Sequence, residues 1–149
     1  NFQGYSTHPD CDLIALGVSA IGRVGAVYSQ NAKTLDDYYD ALNRNQLPVV
    51  RGLALTRDDV LRRAVIMSVM CHGSLNYESI ELAHLIDFSS YFANELAGLD
   101  RLIDDGLVVR NPDGFDVTPR GWYFVRAVAS LFDRHLQADK TRERFSKVI

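Results

Sequence analysis

Two arginines, Arg23 and Arg51, carry planar donor groups suited to gripping a carboxylate bidentately. Around Arg23 stand Gln3, Tyr5, Tyr28, Gln30 and Asn31, polar side chains that bracket a nearly uncharged run and can donate to or accept from a ligand. Arginines near strand ends are more often structural or solvated, so these residues alone reach only as far as a candidate small-molecule rim. The stretch Gly17-Val-Ser-Ala-Ile-Gly22-Arg-Val-Gly25 invites a phosphate-loop reading, because closely spaced glycines let backbone N–H groups approach an anion. It lacks the Lys-Ser/Thr pair of a Walker loop, and its glycines miss the dinucleotide spacing before a clear helix. A bending strand explains it better. His8, Cys11, Cys71 and His72 supply zinc-type ligands, but neither His8-Pro-Asp-Cys11 nor the adjacent Cys71-His72 is a recurring structural-zinc pair. No metal site is expected from them, and both thiols read as ordinary buried or half-buried cysteines. His84 and His135 fall in helical segments with no partner visible in sequence.

The elements that must position these groups divide in two. The run Asp12-Leu-Ile-Ala-Leu-Gly-Val-Ser-Ala-Ile-Gly22 reads as a strand buried on both faces, with a further short strand around Ala26 to Ser29. Such a strand needs neighbours, so residues 1–33 read as the incomplete end of a larger domain, and the opening Asn1-Phe2-Gln3-Gly4 reads as mid-domain. Residues 34–149 read as a helical domain. Thr34 with Asp37, and Thr56 with Asp59, resemble capping boxes that start two helices; the second carries Val60, Leu61, Ala64, Val65, Met67 and Val69 and stops at Gly73. A short helix is expected over 78–86, and a longer one over 90–105 with Leu96, Leu99, Leu102 and Ile103 as its apolar stripe. Residues 107–117 read as a β-hairpin about Asn111-Pro112-Asp113-Gly114. Thr118-Pro119 then opens a last helix with Trp122, Val125, Val128, Ala129, Phe132 and Leu136 inward. The expected fold is therefore mainly α with a small β component, a winged-helix-like domain following a strand segment.

A winged-helix outline raises DNA binding, but the third helix carries Glu95, Asp100, Asp104 and Asp105 against Arg101 alone, a charge that phosphates repel. Basic residues gather in the tail at Arg134, Lys140, Arg142, Arg144 and Lys147, diluted by Asp139 and Glu143, as on a solvated helical face. A net charge of −3 adds no global attraction for nucleic acid, so none is expected as a partner. A hydrophobic share of 47% with seven Tyr and seven Phe argues for a packed core, and no apolar run reaches the roughly 20 residues a membrane-spanning helix needs. Two cysteines and no basic-then-apolar leader or sorting tail suggest a reducing, cytoplasmic setting without export.

Several words of the sequence go further. Asn1-Phe2-Gln3-Gly4-Tyr5-Ser6-Thr7, Gly17-Val18-Ser19-Ala20-Ile21 and Tyr28-Ser29-Gln30-Asn31 resemble, in order and spacing, the oxygen-independent coproporphyrinogen III oxidases. The resemblance runs on through Arg51-Gly52-Leu53-Ala54-Leu55-Thr56-Arg57-Asp58-Asp59 and Asp105-Gly106-Leu107-Val108 to Arg144-Phe145-Ser146-Lys147-Val148-Ile149. It implies the C-terminal portion of a radical S-adenosylmethionine (SAM) enzyme of haem biosynthesis, in which residues 1–33 end a radical SAM (β/α) barrel. With a 4Fe–4S cluster, SAM and an electron donor, such an enzyme makes a deoxyadenosyl radical and decarboxylates two propionates of coproporphyrinogen III to give protoporphyrinogen IX. The resemblance carries SAM contacts to Ile21 and Gln3 and assigns no catalytic residue within this chain. The family's CxxxCxxC cluster motif is not in this sequence, so the cluster is expected to lie in another part of the enzyme and this portion to be inactive alone. The alternative is a winged-helix-type protein-interaction module without a catalytic role.

Overall fold

Thr34 fixes the start of the first helix as its side chain accepts a hydrogen bond from the Asp37 N–H, an N-cap that satisfies an otherwise orphan donor. The computed structural model describes residues 11–139, and these divide into two compact units, one ending at Val60 and the other beginning at Leu61.

In the N-terminal unit, strands β1 (Ile21–Val24), β2 (Val27–Asn31) and β3 (Val49–Ala54) form an antiparallel sheet in that order, with helix α1 (Leu35–Asn43) joining β2 to β3. Gly25, at φ +54°, makes the tight turn between β1 and β2. The expected continuous strand over 12–22 is corrected. Gly17 and Ser19 take positive φ and turn the chain, only Leu13 bridges to Arg23, and Ile14 and Leu16 are exposed rather than buried. Regular pairing begins at Ile21 because the backbone before it is committed to that turn. The expected strand near 26–29 is present as β2.

In the C-terminal unit, helix α2 (Arg57–His72), which begins just before the division, is followed by β4 (Ser74–Asn76), α3 (Tyr77–His84), α4 (Phe88–Tyr91) and α5 (Ala93–Asp104). Strands β5 (Val108–Asn111) and β6 (Gly114–Val117) form the expected hairpin, and β4 adds to β6 to give a second three-stranded antiparallel sheet, order β4-β6-β5. A 3₁₀ turn (Gly121–Phe124), α6 (Val125–Ser130) and α7 (Arg134–Asp139) complete the described chain. Leu61, Val65 and Val69 of α2 meet Leu75, Phe88, Phe92, Leu99, Val108, Phe115, Val128 and Phe132 in one core. Phe115 stacks on Phe132 at 6.2 Å between ring centres, and Phe92 meets Phe132 edge-on at 5.5 Å, the geometries aromatic quadrupoles favour.

With two three-stranded sheets the fold is mixed α and β, and its β share exceeds what periodicity suggested. Two other differences concern helices. The helix expected over 90–105 is broken at Phe92, where Asp87 caps the short α4 and α5 starts afresh. The last helix begins at Val125 rather than Pro119: Thr118 Oγ1 does accept from the Gly121 N–H, but Gly121 lies so close to the Leu107 carbonyl that no Cβ fits, and the chain tightens there into a 3₁₀ turn. Trp122, expected inward, is consequently 47% exposed.

Candidate functional site

The residues singled out for ligand chemistry meet on the sheet of the N-terminal unit. Antiparallel register pairs Ile21 with Gln30 and Gln30 with Arg51, so these three form one row across β1, β2 and β3 on the same face. Arg23, Tyr28 and Leu53 make the next row on that face, two residues along each strand. The register slips directly beyond the first row, since Asn31 pairs with Val49 and Val50 is left over as a β-bulge. Ile21 and Arg51 are exposed and Gln30 is half-buried.

The loop leading into β1 is held by side chains from outside it. Asn31, only 4% exposed, donates from Nδ2 to the carbonyl oxygens of Gly17 at 2.9 Å and Ala15 at 3.2 Å. The Tyr38 hydroxyl of α1 accepts from the Gly17 N–H at 3.1 Å, and the Ser19 N–H donates to the Ala32 carbonyl at 2.7 Å. Gly22 completes the frame, because a Cβ there would lie 2.9 Å from the Leu13 carbonyl oxygen, closer than side chains come to backbone. The glycine-rich word is thus a folded loop that delivers Ile21 to the strand.

The two candidate arginines part company. Arg23 is 8% exposed and donates to the carbonyl oxygens of Cys11 at 2.6 Å and Gly25 at 3.0 Å, which makes it a brace for its own hairpin. Arg51 remains on the surface, and no carboxylate among the described residues pairs with it. Gln3 and Tyr5 lie outside the described residues, as do His8 and most of the basic tail. Cys11 is exposed and Cys71 half-buried, both as free thiols, and among the described residues no three His, Cys, Asp or Glu side chains gather at metal-binding distance.

Elsewhere the polar groups have structural work. In the C-terminal unit Arg62 pairs with Glu95 at 2.7 Å, donates to the Phe132 carbonyl at 3.2 Å and sits 5.3 Å over the Phe92 ring. Tyr77 stacks on Phe88 with ring centres 4.4 Å apart, and burial pushes its hydroxyl pKa above the ordinary tyrosine value, partly offset by Arg110. Of the acidic residues on α5, Asp100 is 3.0 Å from Arg110.

Comparison with known proteins gives this geometry a context. Residues 55–124 match the family described as the HemN C-terminal domain. The whole chain aligns with proteins named oxygen-independent coproporphyrinogen III oxidase, at 48% identity over 149 residues in Pseudomonas aeruginosa and 42% over 149 residues in Escherichia coli. The chain is thus similar along its whole length to the oxygen-independent coproporphyrinogen III oxidases. It covers 32% and 33% of those two relatives, so it spans about a third of an oxidase of this kind and corresponds to the C-terminal portion. Among solved structures, coproporphyrinogen III oxidase (HemN) from Escherichia coli, described as a radical SAM enzyme, superposes with a TM-score of 0.83 at 43% identity, covering 91% of this chain and 31% of that one. The words of the sequence that carry this likeness have a physical joint: the amide of Asn31, from one word, holds the carbonyl of Gly17, from another. Sequence reasoning named Asn31 only as a polar group facing a ligand. Its role as a buried loop clamp had no signal, because a donor's partner 14 residues away leaves no local pattern.

Proposed function

We propose that this chain works as the C-terminal portion of an oxygen-independent coproporphyrinogen III oxidase that decarboxylates two propionates of coproporphyrinogen III to the vinyl groups of protoporphyrinogen IX in porphyrin biosynthesis. The observation that carries the reading is the alignment of all 149 residues, at 48% identity, with a protein of that name. In the whole enzyme a 4Fe–4S cluster and SAM, with an electron donor, supply the radical chemistry. The residues of this chain do not fit the cluster: two cysteines, one in each compact unit, cannot make the three-cysteine set such a cluster takes, and its ligands belong to the rest of the enzyme. Toward SAM the chain contributes Ile21, whose exposed apolar side chain can line the adenosyl or methionyl group, and Gln3, an amide able to donate and accept. Their task is positioning, since radical transfer depends on holding the reacting carbon against the substrate and keeping water out.

In this reading residues 1–33 belong to the end of the radical SAM barrel and residues 34–149 to a winged-helix-like C-terminal domain with the β5–β6 hairpin as its wing, although α1 and β3 pack with β1 and β2 in the unit that ends at Val60. No helix among the described residues is long and apolar enough to cross a membrane. Anaerobic assay of the full-length protein with SAM, coproporphyrinogen III and a low-potential reductant tests the reading. Protoporphyrinogen IX and deoxyadenosine should form together; a fully cluster-loaded protein that yields neither would refute it.

A further inference from the structure

The reaction proposed above acts on a substrate that carries several propionates, and an enzyme that positions one carbon must hold carboxylates in fixed places. We propose that Arg51 is a substrate-anchoring residue that binds a propionate carboxylate of coproporphyrinogen III; the inference rests on the functional reading just given. Three observations lead to it. Arg51 lies in the same cross-strand row as Ile21, two strands away, which at the usual sheet spacing sets their backbones roughly 10 Å apart on one face. Its guanidinium is exposed and pairs with no carboxylate among the described residues, whereas Arg23 on the same face is spent on the carbonyls of Cys11 and Gly25. The bulge at Val50 lies immediately before Arg51, and bulges re-aim the side chains beside them. Between the arginine and Ile21 stands Gln30, whose Nε2 reaches the Ser19 carbonyl only at 3.4 Å and can turn toward a ligand oxygen. An apolar residue, an amide and a free guanidinium in one row match a ligand that is apolar at one end and a carboxylate at the other.

The test uses the full-length, cluster-loaded enzyme under anaerobic conditions with Arg51→Met and Arg51→Lys. For Arg51→Met the KM for coproporphyrinogen III should rise roughly 10- to 100-fold, the loss typical of a hydrogen bond to a charged group, while iron content and SAM affinity stay at the wild-type level. Arg51→Lys should recover part of that loss, since it keeps the charge without the bidentate fork. As a readout that a merely structural role would not move, competition by the tetramethyl ester of the substrate, which has no carboxylate, should be equal in wild type and Arg51→Met. An unchanged KM in Arg51→Met, or an ester that loses as much affinity as the acid, overturns the assignment. A rise in the SAM dissociation constant with the substrate KM unmoved overturns it too, because Arg51 would then serve SAM. If Arg51→Met does not fold, the folded Arg51→Lys decides by the same acid-against-ester comparison. A wild-type enzyme with no turnover of coproporphyrinogen III at all would instead sink the functional reading, which separates the two failures.

Discussion

The side-chain amide of Asn31 donates to the carbonyl oxygen of Gly17 at 2.9 Å, tying the end of β2 to the turn that precedes β1. Because the same amide reaches Ala15, one buried side chain satisfies two carbonyls of a loop that is otherwise irregular. Replacing Asn31 with Ala should remove that donor from both, leaving Gly17 only the long bond from the Ala20 N–H at 3.4 Å, and loosen the loop by about 1–3 kcal/mol. Asn31→Asp should be at least as damaging, since a carboxylate cannot donate and would repel the carbonyls. Hydrogen exchange at the Ser19 and Asn31 amides, which bond Ala32 and Ala20 across this joint, reads the effect. Wild-type protection in Asn31→Asp would mean that the amide has no clamping role.

The SAM contact proposed for Ile21 has a test of its own. In the full-length enzyme, Ile21→Asp should weaken SAM binding and lower turnover by at least tenfold, because a carboxylate packed against an apolar group pays several kcal/mol of desolvation. Iron content should stay at the wild-type level, as Ile21 carries no group that can ligate iron. Paired measurements of iron, SAM affinity and turnover, with circular dichroism as a fold check, decide the matter. Full activity in a folded variant would make Ile21 ordinary packing.

Arg62 and Glu95 are each about one-sixth exposed, at 16% and 15%, and stand between the surface and buried limits for an ion pair. Glu95→Ala removes the carboxylate 2.7 Å from Arg62, beside Phe92 and the Phe132 carbonyl, and should cost about 1–3 kcal/mol in thermal or urea unfolding. The double replacement Arg62→Met with Glu95→Leu should return to within about 1 kcal/mol of wild type, since it removes the desolvated charges together. A double variant as unstable as the sum of the singles would show that the two side chains act independently.

Asp87 caps α4, and hydrogen bonds from the Ser90 side chain and then from the Ser90 N–H hold its carboxyl below the ordinary value. A depressed carboxylate stabilises the fold above the unfolded-state pKa of about 3.9 and loses that contribution as pH falls through the lower folded value. Asp87→Asn keeps a capping oxygen that does not titrate. Its melting temperature should therefore drop less than that of wild type on acidification across that window. Parallel acid limbs in the two proteins would count against the cap as a titrating group.

How far the sequence can be read depends on whether a signal is local. Thr34 and Thr56 announce helix starts because a cap is a three-residue event, and both accept a backbone N–H as expected, from Asp37 and Asp59. The hairpin was equally legible from Asn111-Pro112-Asp113-Gly114. Strand β4 was not, since three residues carry no periodicity and it exists only because Ser74 to Asn76 pair with Gly114 to Asp116 of the distant β6. Strand β3 was missed for a related reason: all six residues are exposed, so there is no inward-outward alternation to find. Within the site, the types of Ile21, Gln30 and Arg51 were visible, but their row depends on register, which only pairing across β2 defines.

That exposed β3 has a practical side. Among the described residues it ends its sheet with Val49, Val50 and Leu53 in solvent, and an apolar edge strand of this kind is a template on which a second chain can nucleate ordered aggregates. Produced as these 149 residues, the protein carries that adhesive border into every concentrated solution. A lysine at position 50, on the bulge and out of the ladder, would act as a gatekeeper there without touching the hydrogen bonds that align Gln30 with Arg51.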